Sequence, residues 1–250
     1  MNELLRVTLL GLFFGTFGTT LGGIIGVTFK KPSDRFLSFI LSFAAGLMTS
    51  IVSFDLIPEA LKISGILSTI IGIIIGVICM IICNIVVNNK FNRRNSNQIN
   101  ESNKRELLRA GIVTSIGLAI HNFPEGLAIG SGFGASLTLG YSLAIAICIH
   151  DIPEGMAMSI PMKNGGISSK KVILYVILSG VTTGIGAFIG KIIGGISETV
   201  IAMCLAFAAG AMLYIVSGEL VPESNKMHKG SSATIGMIVG FLLGLLAVSI

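Results

Sequence analysis

Charge is the first thing this chain lacks. Asp, Glu, Lys and Arg make up only 12% of its 250 residues, against about 25% in a soluble domain. With 52% hydrophobic residues and a mean hydropathy of +0.90, that shortage excludes an ordinary soluble globule. Tryptophan is absent, whereas glycine reaches 32 residues, and small residues let helices approach closely in lipid. The four cysteines (Cys79, Cys83, Cys148, Cys204) all lie in apolar runs and give no disulfide framework. Cys79 and Cys83 have no histidine or carboxylate beside them and read as packing residues. There is no Walker-type P-loop, because Gly130-Ser131-Gly132-Phe133-Gly134 lacks the following Lys-Ser/Thr. ATP hydrolysis is therefore excluded as an energy source. The basic residues are dispersed over several loops without interleaved aromatics, which excludes a nucleic-acid surface. Segment 4–27 has no basic leader beyond Arg6 and no small-residue cleavage site, so it reads as a retained first span.

What is present is apolar length. Runs at 4–27, 36–60, 65–87, 109–130, 137–160, 172–194, 199–221 and 233–250 are each long enough, at about 20 residues, to cross a bilayer. The expectation is an all-α fold: a polytopic membrane bundle of eight transmembrane helices forming one transporter domain, 1–250. The stretch 88–108 is polar, Asn-rich and basic, and reads as a disordered cytoplasmic loop. Its Asn100-Glu101-Ser102 sequon faces the wrong side for glycosylation. Of the 17 basic residues, only Arg6, Lys62 and Lys191 lie toward the side opposite that loop. The excess of basic residues marks the odd-numbered connections as cytoplasmic. Both termini are then outside a cell inner (plasma) membrane.

The chemistry lies in a duplicated hexad. His121-Asn122-Phe123-Pro124-Glu125-Gly126 on span four is matched by His150-Asp151-Ile152-Pro153-Glu154-Gly155 on span five, and these hexads hold two of only three histidines. Residues four apart share a helix face, which places His121 over Glu125 and His150 over Glu154, flanked by Asn122 and Asp151. A second repeat aligns 43–59 (FAAGLMTSIVSFDLIPE) without gaps on 207–223 (FAAGAMLYIVSGELVPE). Matching motifs on oppositely directed spans indicate an inverted-topology repeat. The hexads and Met48 fall near the midplane. Asp55 and Glu59 fall toward the outer end of span two, and Glu219 toward the inner end of span seven.

An ionised side chain at mid-membrane costs about 2.5–3.5 kcal/mol even on the lenient insertion scale. No lysine or arginine lies at the depth of Glu125, Asp151 and Glu154 in any span. Protonation, a water-filled cavity or a bound cation can answer this, and the two histidines favour the cation. Imidazole with carboxylate suits zinc and other first-row divalent ions, whereas magnesium and calcium prefer oxygen shells. Pro124 and Pro153 free the carbonyls of Ile120 and Ile149, a break tolerated at membrane depth where it lines a cavity. Met48, from spacing alone, reads as a core residue.

These motifs resemble the ZIP (Zrt/Irt-like) family of divalent-metal transporters, in its bacterial GufA-like branch. The resemblance covers essentially all eight spans. It implies a two-metal centre between spans four and five and uptake into the cytoplasm by alternating access. Zinc is the implied cargo, with cadmium, iron or manganese as alternatives; the metal is cargo, and no resident cofactor is expected. It implies His121, Glu125 and Glu154 as first-site ligands, with His150 alongside and Met48 completing the site. Asn122 and Asp151 would serve a second site bridged by the two glutamates, and Glu219 the exit region. There is one departure: Thr183 stands where relatives carry a span-six glutamate, which implies a weaker or single-metal second site. The expected partners are divalent ions and lipid, with a homodimer permitted by the Gly-rich faces. An intramembrane metallohydrolase would need HExxH, whereas here Asn or Asp follows each histidine; the chain is not expected to be an enzyme. A proton-coupled transporter of another solute would bind no transition metal.

Overall fold

The computed structural model describes residues 3–29, 32–93 and 103–248, and among them all regular structure is helical. The order is α1 Glu3–Thr28, α2 Asp34–Ile51, a π-helical turn Val52–Leu56, α3 Ile57–Arg93, α4 Asn103–Ala135, α5 Leu137–Asn164, α6 Ser169–Gly194, α7 Glu198–Ile215, a second π-helical turn Val216–Leu220, α8 Val221–Met227 and α9 Ser232–Val248. Five of the described helical segments are long and apolar enough to cross a membrane.

Helix ends follow local chemistry. Ser33, Ser136 and Ser197 are extended residues whose hydroxyls accept the first free N–H groups, from Phe36, Leu139 and Val200. The single residue Ser136 separates α4 from α5, so the two hexads are joined by a tight helical hairpin. Within α3, Gly65 has φ 75° and ψ −179°, which breaks the helix where the sequence ends one apolar run and starts the next.

The expected loop 88–108 needs correction at its ends. Helix α3 continues to Arg93 and α4 begins at Asn103. Lys, Arg, Glu and Leu around these positions are good helix formers, so a span that leaves the apolar layer can continue as helix. The centre of that segment, with the sequon, lies outside the described residues. Helix α5 likewise runs past 160 to Asn164, through Pro161.

The helices sort into two groups. α1 packs on α5 and α6, and α4 packs on α5 and α6; α2 packs on α9, and α3 on α7. The close approaches follow the register of the 43–59/207–223 alignment. Gly76 abuts the Phe207 carbonyl, and Gly240 the Phe43 carbonyl; Gly210 abuts the Ile73 carbonyl, and Gly46 that of Met237. Both π-helical turns occupy aligned positions. Each is followed by an i,i+3 ion pair: Glu59 with Lys62 at 3.3 Å, and Glu223 with Lys226 at 3.7 Å.

Burial is inverted relative to a soluble domain. Ile66, Ile70, Ile74, Ile78 and Ile82 form an exposed apolar stripe on α3. His121, Asn122, Glu125, His150, Asp151 and Glu154 are all buried, none more than 4% exposed. This arrangement is stable where the surrounding medium is itself apolar.

Candidate metal centre

The site is built where α4 crosses α5. Each helix carries its hexad continuously through an internal proline, Pro124 in α4 and Pro153 in α5. The glycine that closes each hexad lets a further helix pack closely behind it. A Cβ on Gly126 would collide with the Thr183 carbonyl of α6, and a Cβ on Gly155 with the Thr19 carbonyl of α1. The two hexads are therefore backed by equivalent backbone contacts on opposite sides of one site.

Ligating atoms of His121, Glu125, His150 and Glu154 all lie within 4.8 Å of one another. His121 Nε2 is 3.0 Å from Glu125 Oε1 and 3.0 Å from Glu154 Oε1. His150 Nε2 is 2.7 Å from Glu125 Oε1 and 3.7 Å from Asp151 Oδ1. The spacing of the hexad puts His150 over Glu154 of its own helix, but its nearest carboxylate is Glu125 of the other. Each histidine thus reaches across to the facing helix, which ties α4 to α5. His150 Nδ1 lies 3.2 Å from the Ala146 carbonyl. Donation to that carbonyl leaves Nε2 as the ligating nitrogen.

The donor set fits a divalent transition metal. Tetrahedral zinc with bonds of about 2.0–2.1 Å places its ligand atoms about 3.3 Å apart. The three closest pairs are a few tenths of an ångström tighter than this and the rest lie within 4.8 Å, so the side chains need a modest adjustment to close around one ion. Several buried atoms around the site also have no hydrogen-bond partner: Asn122 Oδ1, Glu125 Oε2, both oxygens of Asp151, both of Glu154, and Thr183 Oγ1. His121 Nε2 joins them; it is within ion-pair range of two carboxylates but off their hydrogen-bond directions. Among the described residues, no lysine or arginine pairs with Glu125, Asp151 or Glu154. Buried polar atoms are normally satisfied, so this concentration marks a place where a cation would complete the bonding.

Asn122 and Thr183 extend the site toward α6. The Asn122 amide donates to the Ser179 carbonyl at 3.2 Å and to Ser179 Oγ at 3.4 Å. That fixes its orientation and leaves Oδ1 unpartnered. Met48 is fully buried in the main apolar cluster.

A cavity of about 570 Å³ opens onto His121 and Glu154. Glu219, Glu223 and Lys226 also line it. Asn84 of α3 donates to Glu219 Oε1 at 3.3 Å and to the Tyr214 hydroxyl at 3.1 Å. Asp55 and Glu59 do not line this cavity. Asp55 accepts from Ser142 at 3.2 Å, and Glu59 pairs with Lys62. Sequence reasoning missed Asn84, Tyr214, Ser142 and Ser179. Asn84 carried a signal, being the one amide in the apolar run 65–87; the hydroxyls carried none.

Residues 86–250 match the profile of the family described as ZIP Zinc transporter. The zinc transporter ZupT of Campylobacter jejuni is 30% identical over 99% of this chain and 97% of its own length. The chain belongs to the ZIP zinc-transporter family. ZupT of Akkermansia muciniphila is 32% identical over 96% of this chain and 93% of its own length. The zinc transporter GufA of Myxococcus xanthus is 39% identical over 52% of each chain. ZIP proteins are transporters rather than enzymes, and this ZIP chain, with its several apolar helices, is membrane-embedded.

Proposed function

We propose that this ZIP chain is a secondary importer of divalent transition metals, zinc foremost, which carries its cargo through the α4–α5 site by alternating access. The observation that carries this reading is the convergence of two imidazoles and two carboxylates, buried and, among the described residues, without a lysine or arginine partner. The ion supplies the missing charge and the missing bonds, and the cavity beside His121 and Glu154 gives it a way in or out. Cadmium, iron and manganese share enough of this ligand chemistry to compete.

The membrane arrangement belongs to the same proposal. Eight spans follow if the chain re-enters the membrane at Gly65 and if α7, its π-turn and α8 form one span. An inverted repeat is supported by the aligned π-turns and the reciprocal glycine contacts. The basic connections face the cytoplasm, and both termini lie outside the plasma membrane. Glu219, Glu223 and Lys226 then mark the cytoplasmic mouth of the cavity, and the described conformer is open inward. Asp55 and Glu59 belong to the outer approach, closed in this conformer. The faces of α1 and α6 rich in glycine are already used within the chain, so a homodimer would form through another lipid-exposed face.

Met48 joins the first site when metal is bound, through its thioether. Asn122, Asp151 and the second oxygens of both glutamates form a second site that Thr183 leaves one carboxylate short. Elemental analysis of the purified, zinc-loaded protein tests this. The expected content is about one tightly held zinc per chain, rising in Thr183→Glu. Two zinc ions per wild-type chain would overturn the role given to Thr183. No bound transition metal at all would favour a proton-coupled carrier of another solute.

A further inference from the structure

The cavity beside the metal centre has a sulfur-bearing wall that the α4–α5 site does not use. His121 and Glu154 line one part of the cavity; Met80, Cys83 and Met227 line another. Cys83 has a second thiol next to it. Cys79 lies one helical turn earlier on α3, residues four apart share a helix face, and the two side chains interact directly. Both are only partly buried. Packing alone accounts for Cys204, which is buried; Cys83 instead lines an open cavity. No carboxylate neighbours the pair in sequence, but the fold brings one. Asn84, the residue after Cys83, donates to Glu219 Oε1 at 3.3 Å, and Glu219 lines the same cavity. Two thiols, a thioether and a carboxylate are thus gathered at one stretch of the wall.

We propose that Cys79 and Cys83 form a soft-cation site on the cavity wall, which holds a thiophilic divalent ion such as cadmium apart from the imidazole–carboxylate centre. Thiolate and thioether donors select soft ions. Sulfur ligands at about 2.3 Å from a tetrahedral ion sit about 3.8 Å apart, a separation that side chains one helical turn apart reach by choice of rotamer. Each thiol gives up its proton as it bonds the ion, so one divalent cation replaces two protons and the net charge of the wall is unchanged. The remaining ligands come from the cavity, as Glu219 and water. Zinc, less thiophilic than cadmium, displaces the thiol protons less readily and keeps to the imidazoles and carboxylates. The ion reaches this wall along the proposed transport path, so the use of the site in the cell rests on the importer reading; binding by the purified protein does not.

Cadmium titration of the purified, metal-free full-length chain tests this, read by the ultraviolet charge-transfer absorption of cadmium–thiolate bonds. The band is expected in the wild type and equally in Glu125→Gln, which weakens the α4–α5 centre. It is expected to vanish in Cys79→Ser/Cys83→Ser and to persist in Cys148→Ser/Cys204→Ser. Equimolar zinc is expected to leave it in place. In the wild-type protein, with no substitution, cadmium is also expected to slow alkylation of Cys79 and Cys83 together, as read by peptide mass spectrometry. No band in the wild type, a band that survives the loss of Cys79 and Cys83, its removal by equimolar zinc, or alkylation indifferent to cadmium each overturns the site. Absence of zinc uptake by the wild-type protein, with the band intact, would instead overturn the importer reading.

Discussion

Glu125→Ala is expected to lower zinc uptake at least about 100-fold at equal surface expression, with loss of the tightly bound ion. Even groups that only support a metal ligand cost about 10–100-fold when removed, and Glu125 holds more than a supporting place. Its Oε1 lies 3.0 Å from His121 Nε2 and 2.7 Å from His150 Nε2, so one carboxylate orients both imidazoles. Its Oε2 is buried without a partner and serves the second ion in the proposed two-site arrangement. Truncation removes one negative charge from the cargo's shell and leaves the two imidazoles without a shared partner. Glu125→Gln keeps the volume but not the charge. It is expected to fold as wild type and still to fail in zinc retention, which separates ligand chemistry from packing. Uptake near the wild-type level in Glu125→Ala would remove the α4–α5 cluster from the transport path.

Gly155→Ala is expected to prevent the bundle from assembling, although it adds a single methyl group. The Cβ would collide with the Thr19 carbonyl and lie 3.0 Å from the Gly23 nitrogen, both backbone atoms of α1. A flexible side chain could move aside, whereas a helix backbone cannot without carrying its whole span. Overpacking of this kind costs about 1–3 kcal/mol in soluble cores and more where no rotamer can relieve it. Because α1 also contacts α6 through Gly11 and Gly15, displacement at Gly155 spreads to a second interface. Gly126→Ala should behave alike, through the Thr183 carbonyl. Gly117, in the same helix as Gly126, has open space at its Cβ position, so Gly117→Ala should hold or slightly raise thermal stability, alanine being the better helix former. Size-exclusion profiles and thermal midpoints of the three variants in detergent provide the check. Monodisperse Gly155→Ala protein of wild-type stability would contradict the packing account.

Much of the site was legible in the sequence, because helical periodicity and membrane cost act on single segments. Spacing alone put His121 with Glu125, and the absence of mid-span cations called for a bound one. The pairing of His150 with Glu125 rather than Glu154 was not legible, since it depends on how two helices cross. The second repeat was readable as letters. Its structural consequence, a π-turn at Val52–Leu56 and another at Val216–Leu220, was not, because an extra residue in a helical turn leaves no compositional mark. Polarity misplaced the ends of the loop after α3, where polar helix formers continue the spans. The tethers of Asp55 and Glu219 to Ser142 and Asn84 rest on single polar side chains of neighbouring helices, whose proximity only the fold establishes.

Transport itself is read by radiolabelled zinc uptake into proteoliposomes that contain only this protein, with unlabelled cadmium, iron or manganese as competitors. Zinc entry is expected to be saturable without ATP, competed by the other transition metals, unaffected by magnesium or calcium, and abolished in Glu125→Ala. Zinc entry no faster than in protein-free vesicles, or entry that magnesium competes as well as cadmium does, would contradict zinc import through the α4–α5 site.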